Sequence, residues 1–375
     1  MSGIYIHIPF CKQACYYCDF HFSASLRLKN ELLKALSDEL LMRKGEMTEV
    51  VETIYFGGGT PSILDVKEIR YLLEIIDQNY RVSKDPEITL EANPDDLTSE
   101  KIKEISLTGI NRLSIGVQSF FDEDLKFMNR VHSAEEAINS VRGSLKYFKN
   151  ITIDLIYGVP GMDEKKWKKN LQTAFDLKVP HISAYALTVE NRTALAHFIK
   201  KGKYPPVEDE LAQEHFRILT EESKKQGFVQ YEISNFGKEG FFSIHNTSYW
   251  QGKPYLGIGP SAHSFKEDLR SWNISSNGKY IKAIEQKILP SESEKLSVKD
   301  QYNEMIMTGL RTIWGVSVKE VEKRFGREIA VHLQKNSEKY LKRYLMKQEN
   351  DILTLTDEGK FLSDGIAADL FIVKD

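Results

Sequence analysis

The three cysteines of this 375-residue chain lie close together near its N-terminus, as Cys11, Cys15 and Cys18 in a CxxxCxxC pattern. Three thiolates at this spacing can hold one small inorganic centre. A complete cysteine-bound iron-sulfur cluster normally takes four cysteines, and a structural zinc ion takes four protein ligands. The sequence therefore predicts a metal centre with one coordination position that no cysteine fills.

A 4Fe-4S cluster held by these thiolates has one iron that can bind a ligand from outside the protein. The amino and carboxylate groups of S-adenosylmethionine would chelate such an iron. Zinc is an alternative, with His7 or His21 as the fourth ligand, and inert buried thiols are a third interpretation. A disulfide is disfavoured, because the cysteine count is odd and the first residues lack the pattern of a secretory signal.

The composition is typical of a soluble enzyme. The formal net charge is −3 and 28% of the residues are charged, which favours neither a nucleic-acid-binding protein nor an acidic tail. No apolar stretch approaches the roughly 18 to 20 residues that a membrane-spanning helix needs. We therefore expect a cytoplasmic location and no nucleic-acid partner.

Short β-branched runs alternate with segments of helical period along the first half of the chain, which predicts an α/β fold with a parallel sheet. Six units are fewer than the eight of a closed barrel, so we expect a partial (β/α)6 TIM-like barrel. Thr98 and Asp122 are predicted helix N-caps. The six predicted strands are 4–8, 53–56, 87–92, 112–117, 151–156 and 181–187.

Polar or glycine-rich segments follow four of these strands, where parallel-barrel folds place their active sites. The first is the cysteine segment itself. Glycines at 57–59 would let a ligand approach the bare backbone, and Glu91 and Gln118 follow the next two strands. Arg130 and Asp154 add a cation and a further hydrogen-bond acceptor. The sequence predicts a ligand site at this end of the sheet.

Taken together, these segments resemble the radical S-adenosylmethionine enzymes, in the branch that holds oxygen-independent coproporphyrinogen III oxidase and the HemW-type heme chaperones. The resemblance runs from residue 4 to about residue 265. It rests on YIHIPF before the first cysteine, YFGGGTP at 55–61, EANP at 91–94, GVQS at 116–119, DLIYGVP at 154–160 and YEISNF at 231–236.

The resemblance implies a role for each candidate residue. Cys11, Cys15 and Cys18 would hold three irons of a 4Fe-4S cluster, with Tyr5 and Tyr17 packed around the cluster and S-adenosylmethionine. For the remaining residues, the charge or hydrogen-bonding capacity of each side chain matches the ligand group assigned to it. The ligand's ammonium group would lie at Gly58, Gly59, Thr60 and Glu91, its carboxylate at Arg130, and its ribose hydroxyls at Gln118 and Asp154.

Two features distinguish the branches of this family. The oxidases carry a further cysteine two residues after the third, where this chain has Phe20. The segment from His245 to Trp250 resembles the HNxxYW motif of the heme chaperones, and a histidine is a common heme ligand. The resemblance implies a heme chaperone that passes heme to apo-proteins such as respiratory enzymes, with His245 as heme ligand. The alternative is a coproporphyrinogen III oxidase, and whether S-adenosylmethionine is cleaved stays open.

The last third of the chain has mainly helical patterns with a short apolar run at 352–355. It resembles the small winged-helix-like C-terminal domain of the same family, so we expect a barrel domain at 1–265 and a helical domain at 266–375. Basic residues outnumber acidic ones between 295 and 347, but they are spread over predicted helices. Membrane association during heme delivery and a homodimer are both compatible with the sequence.

Overall fold

The computed structural model of the protein describes residues 2–373. Its first six strands are parallel and stand side by side in chain order, with helices between them. This arrangement confirms the predicted α/β fold built on a partial barrel. The strands are β1 (Ser2–Ile8), β2 (Val51–Gly58), β3 (Val82–Ala92), β4 (Arg112–Gln118), β5 (Asn150–Tyr157) and β6 (His181–Ala186).

The sheet continues beyond both ends of this series. A hairpin adds β8 and then β7 beside β6, and on the other side β9 pairs with β1 in parallel, so it is a seventh parallel strand that the sequence pattern did not reveal. Three antiparallel strands complete that edge. The added strands are β7 (Val229–Glu232), β8 (Asn235–Gly237), β9 (Tyr255–Ile258), β10 (His263–Lys266), β11 (Leu269–Asn273) and β12 (Ser291–Lys295).

Ten helices accompany this sheet among the described residues, and most bury an apolar face against it. Thr98 caps α3 as predicted, accepting a hydrogen bond from the backbone N–H of Lys101. Asp122 was wrongly predicted as a cap, because Phe121 holds that position and Asp122 lies in the first turn of α4. The helices are α1 (Lys29–Arg43), α2 (Val66–Asn79), α3 (Ser99–Ile105), α4 (Asp122–Phe127), α5 (Ala134–Ser144), α6 (Glu164–Asp176), α7 (Ala194–Lys200), α8 (Asp209–Lys225), α9 (Ile244–Trp250) and α10 (Asn277–Glu285).

Alternation along the strands separates the helix-facing core from the barrel lumen. In β1, Ile4, Ile6 and Ile8 are fully buried in the main apolar core, whereas Tyr5 and His7 face the lumen. Tyr5 lies opposite Tyr55 of β2 in the strand register, and their rings stack with centroids 6.1 Å apart. Polar and aromatic side chains therefore line the inside of the barrel.

A buried carboxylate on α1 connects the barrel to the segments after β9 through hydrogen bonds. Glu39 of α1 is fully buried and binds the Arg43 guanidinium at 3.1 Å. It also accepts hydrogen bonds from the Tyr280 hydroxyl at 2.6 Å, the Asn273 amide at 2.8 Å and the Gly259 backbone N–H at 2.8 Å. This network ties α1 to α10 and to the strands after residue 255.

The C-terminal region is mainly helical, with a small antiparallel sheet in the order β13-β15-β14, and it has its own apolar core. This agrees with the predicted helical module. Its elements are α11 (Val298–Leu310), β13 (Val316–Ser317), α12 (Val318–Phe325), α13 (Arg327–Lys342), β14 (Met346–Glu349), β15 (Ile352–Leu355), α14 (Asp357–Lys360) and α15 (Ser363–Leu370).

The division at residues 265 and 266 stays a prediction. The large sheet extends to Lys295, and Tyr280 and Ile284 belong to the first apolar core, whereas the second core begins at Tyr302. These observations favour a boundary close to residue 296. Within residues 2–373, no helix combines the length and apolar character required to cross a membrane.

Candidate functional site

The cysteine segment follows β1 and lies at the carboxyl end of the parallel strands. All three thiols are free and half-buried. The Thr60 hydroxyl lies 3.5 Å from Cys11 Sγ, and Arg130 Nη1 lies 3.3 Å from Cys15 Sγ. The backbone N–H of Cys18 donates to the carbonyl of Cys15 at 3.3 Å. The fold thus brings a cation and a hydroxyl donor to two of the thiols.

Burial favours the protonated form of two of these thiols. Burial raises the pKa of Cys11 to about 11 and raises that of Cys18 as well, while Arg130 acts on both in the opposite direction. Metal binding removes thiol protons, so a cluster would supply the positive charge that stabilises the thiolates.

A zinc site involving His7 or His21 gains no support from the described residues. Among the described residues, no three side chains of histidine, cysteine, aspartate or glutamate are placed to hold a single metal ion. His7 Nδ1 is hydrogen-bonded to the Tyr5 hydroxyl, and His7 Nε2 to the His21 carbonyl, each at 3.1 Å. His21 Nε2 contacts Asn277 at 2.8 Å. A 4Fe-4S cluster is larger than one ion, so its thiolates need not converge on a point.

The glycine run after β2 packs directly against the cysteine segment. Gly58 has φ of +114°, and a Cβ there would lie 2.7 Å from the His7 ring. A Cβ on Gly59 would lie 2.6 Å from the Phe10 carbonyl oxygen and 3.0 Å from Cys11 Sγ. Both positions therefore need glycine because His7, Phe10 and Cys11 pack closely against them, and the approach of a ligand to this backbone stays a prediction.

Two lumen carboxyl groups, Glu91 and Asp154, lie at the same end of the barrel. Glu91 accepts from the Tyr55 hydroxyl at 2.8 Å and from the Gly58 backbone N–H at 3.3 Å. Asp154 accepts from the Ser114 hydroxyl at 3.4 Å. Burial raises the pKa of Glu91 to about 7, and burial together with the charge of Glu91 raises that of Asp154 to about 7. A cationic ligand would favour their ionised forms.

The Arg130 side chain contacts both the cysteine segment and the ends of the neighbouring strands. Its Nη2 donates to Asn93 Oδ1 at 2.6 Å and to the Gly116 carbonyl at 2.8 Å, while its Nε is buried without a hydrogen-bond partner. An unpartnered guanidinium N–H fits an incoming carboxylate. Asn93, which sequence reasoning missed as a site residue, also donates to the Thr60 hydroxyl at 3.2 Å. Its place in the EANP motif was the available signal.

The remaining predicted residues of this site also lie here. Tyr17 lies beside Cys15 and Arg130; burial raises the pKa of its hydroxyl, and the Arg130 charge acts in the opposite direction. Gln118 is buried with a left-handed backbone, φ of +65°, and its amide nitrogen lies 3.0 Å from the position of a Cβ on Gly116. The structure thus brings the predicted cluster and S-adenosylmethionine residues to one end of the lumen.

His245 lies elsewhere, near the amino ends of the strands. Its ring is 1% exposed, and hydrogen bonds of 2.7 Å join Nδ1 to the Thr53 hydroxyl and Nε2 to the Tyr249 hydroxyl. Burial lowers its pKa to about 3, so the ring is neutral. The Glu87 carboxylate accepts from the backbone N–H groups of Ile244 and His245, which holds the start of α9 in the lumen.

Comparison with known proteins agrees with this arrangement. Residues 5–174 match the model of the Radical SAM superfamily, and residues 296–362 match the HemN C-terminal domain. The chain is 34% identical to heme chaperone HemW of Bacillus subtilis, with 98% of each chain covered. It is also 34% identical to heme chaperone HemW of Lactococcus lactis, with 97% of this chain and 96% of that protein covered.

The fold has a counterpart among solved structures. Coproporphyrinogen III oxidase (HemN) from Escherichia coli, described as a radical SAM enzyme, matches with a TM-score of 0.86 over 100% of this chain and 90% of that chain. The identity of 21% makes this a similarity of fold alone. Radical SAM proteins use a 4Fe-4S cluster and S-adenosylmethionine, to which the donor set described above corresponds. On the full-length identities, the chain belongs to the radical SAM superfamily and, within it, to the HemW heme chaperone family.

Proposed function

We propose that this protein is a heme chaperone that carries a 4Fe-4S cluster, binds S-adenosylmethionine and heme, and delivers heme to acceptor apo-proteins such as respiratory enzymes. The observation that carries this proposal is the 34% identity over 98% of both chains to a protein named heme chaperone HemW. The three cysteine thiols at the carboxyl ends of the strands support this proposal. A cytoplasmic location, the acceptor's identity, membrane association, a homodimer and the absence of a nucleic-acid partner stay predictions.

The donor set supports the cofactor assignments. Cys11, Cys15 and Cys18 would hold the cluster, which would supply an electron to the sulfonium if S-adenosylmethionine is cleaved. Glu91 has the carboxylate that an ammonium group needs, and the unpartnered Nε of Arg130 suits the ligand's carboxylate. The other proposed contacts are Gly58, Gly59 and Thr60 with the ammonium group, Gln118 and Asp154 with the ribose, and Tyr5 and Tyr17 around the cluster and ligand.

Heme binding by His245 requires a rearrangement. Both ring nitrogens are hydrogen-bonded and the ring is buried, so an iron ligand at Nε2 would displace the Tyr249 hydroxyl. The neutral ring is in the protonation state that metal ligation needs. Because Tyr249 lies on the same helix as His245, we propose that the Tyr249 hydroxyl moves away from Nε2 and the His245 ring leaves its lumen position when it binds heme iron.

Coproporphyrinogen III oxidase activity is the second candidate, favoured by the similarity of fold to HemN. Against it, Phe20 stands where the oxidases carry their further cysteine, and its side chain is 74% exposed. An exposed phenyl ring provides no metal ligand and no polar contact for a porphyrinogen carboxylate. The substitution therefore favours the chaperone over the decarboxylase.

One preparation separates the two candidates. Anaerobically reconstituted protein is incubated with heme and, in parallel, with coproporphyrinogen III and S-adenosylmethionine, while absorbance and porphyrin products are followed. The chaperone predicts a Soret band on adding heme and no protoporphyrinogen. Replacing His245 with Ala should weaken that band, whereas the control His197→Ala, at an exposed position of α7, should not. Protoporphyrinogen formation without heme binding would refute the proposal.

A further inference from the structure

The Tyr55 side chain contacts residues at both ends of the lumen. The Tyr55 ring stacks on His245 with centroids 4.9 Å apart and planes 24° apart. Its hydroxyl donates to Glu91 Oε1 at 2.8 Å. One face of Tyr55 thus rests on the α9 histidine, and its polar end reaches the carboxyl group proposed to receive the ligand's ammonium.

Close packing fixes the position of the Tyr55 ring. Tyr5 stacks beside it, and a Cβ on Gly57 would lie 2.8 Å from Tyr5, 2.9 Å from Tyr55 and 3.2 Å from Glu91 Oε1. Burial and the charge of Glu91 raise the pKa of Tyr55 well above its ordinary value, so the hydroxyl keeps its proton and donates. The ring has little room to move unless His245 moves.

We propose that Tyr55 is a positioning residue that couples the His245 segment to Glu91, so that displacing the His245 ring weakens the binding of S-adenosylmethionine. This inference rests on the proposed function, which assigns Glu91 to the ligand's ammonium group. When the His245 ring leaves, Tyr55 loses the surface on which it stacks, and its hydroxyl no longer has a fixed position at Glu91. The carboxylate then loses a donor that favours its ionised form.

The coupling is reciprocal by thermodynamic necessity. If displacing the His245 ring weakens S-adenosylmethionine binding, and heme ligation requires that displacement, then bound S-adenosylmethionine keeps the ring in place and opposes heme ligation by the same factor. The two ligands would therefore bind with negative cooperativity. Heme uptake would favour loss of S-adenosylmethionine, and rebinding of S-adenosylmethionine would favour heme release.

A double-mutant cycle on S-adenosylmethionine affinity tests the coupling without requiring heme. Equilibrium dialysis with cluster-loaded protein would compare wild type, Tyr55→Phe, His245→Ala and the double variant. One hydrogen bond to a charged group predicts a roughly tenfold loss of affinity for Tyr55→Phe. We expect several-fold loss for His245→Ala and little further loss on combining them, because both act through one hydroxyl.

The control is Tyr80→Phe, which removes a buried hydrogen bond of 2.8 Å to the Leu40 carbonyl outside the lumen and should leave the affinity unchanged. Because His245→Ala also removes buried contacts, His245→Gln provides a second variant that keeps polar atoms in the lumen. A purely structural role would not alter the pH profile, whereas Tyr55→Phe should move the acidic limb of S-adenosylmethionine binding to higher pH.

The outcomes distinguish this inference from the function on which it rests. If wild type binds both ligands but the losses from Tyr55→Phe and His245→Ala multiply, or if neither His245 variant alters the affinity, the coupling is refuted and the proposed chaperone stands. If wild type fails to bind S-adenosylmethionine, the proposed function fails and the coupling fails with it.

Discussion

Replacement of Glu91 with Gln should stabilise the protein and at the same time weaken ligand binding. Burial raises the pKa of Glu91 from its ordinary 4.5 to about 7, so the folded protein keeps a proton that the unfolded chain releases between these values. Raising the pH through this window therefore favours unfolding, and the full cost is present above about pH 7. Gln cannot ionise; its one amide oxygen can accept from the Gly58 N–H, and its NH2 group can then donate to the Tyr55 hydroxyl.

The size of the effect follows from the shift in pKa. At about 1.4 kcal/mol per pKa unit, the gain in unfolding free energy of Glu91→Gln is about 1 kcal/mol at pH 5 and about 3 kcal/mol at pH 8. The neighbouring Asp154 adds to the gain, because its pKa falls when the charge of Glu91 is removed. Loss of the charge-assisted contact should weaken S-adenosylmethionine binding roughly 10- to 100-fold.

Urea unfolding of the ligand-free protein between pH 5 and pH 8 measures the first effect, and equilibrium dialysis measures the second. Glu104→Gln, at an exposed position of α3, provides a control for the substitution itself. If the urea midpoints of Glu91→Gln and wild type stay parallel over this range, Glu91 does not hold a proton in the folded protein, and the electrostatic reasoning is wrong.

Three further outcomes follow from the structure. Cys18→Ala should abolish the brown chromophore of iron- and sulfide-reconstituted protein, measured by absorbance, since two thiolates would remain. Gly59→Ala should lower the iron content per protein, because its Cβ would lie 2.6 Å from the Phe10 carbonyl, whereas Gly45→Ala, in open space, should not. Glu39→Ala should lower the unfolding free energy by roughly 3 to 5 kcal/mol, because Arg43, although still paired with Glu46, loses one partner, and the buried donors of Tyr280, Asn273 and Gly259 lose their acceptor. An unchanged urea midpoint would contradict the network.

Much of the fold was predictable because local alternation records which residues face a core. All six strands were located from β-branched runs, and the polar strand ends were assigned to one face because parallel strands end at the same edge. The seventh parallel strand, β9, was not found. It has only four residues, and its pairing with β1 joins residues about 250 positions apart, which no local pattern records.

The sequence predicted which residues belong to the candidate site, but not which of them contact one another. Cysteine spacing and the glycine run identified Cys11 and Gly59, yet the bridge that Asn93 makes between Thr60 and Arg130 arises only where three strand ends meet. Tyr55 was visible in the YFGGGTP motif, but its sequence position does not reveal that its ring rests on His245.

The sequence by itself determined the family, the thiol set and the end of the sheet at which the candidate ligand site lies, because residue types and spacings encode donor chemistry and strand periodicity. Tertiary structure alone decided that α9 enters the lumen from the opposite end, with His245 buried between Thr53 and Tyr249. The physical reason is that Glu87 of a distant strand satisfies the N–H groups at the start of α9, and a contact between residues so far apart depends on how the whole sheet curves.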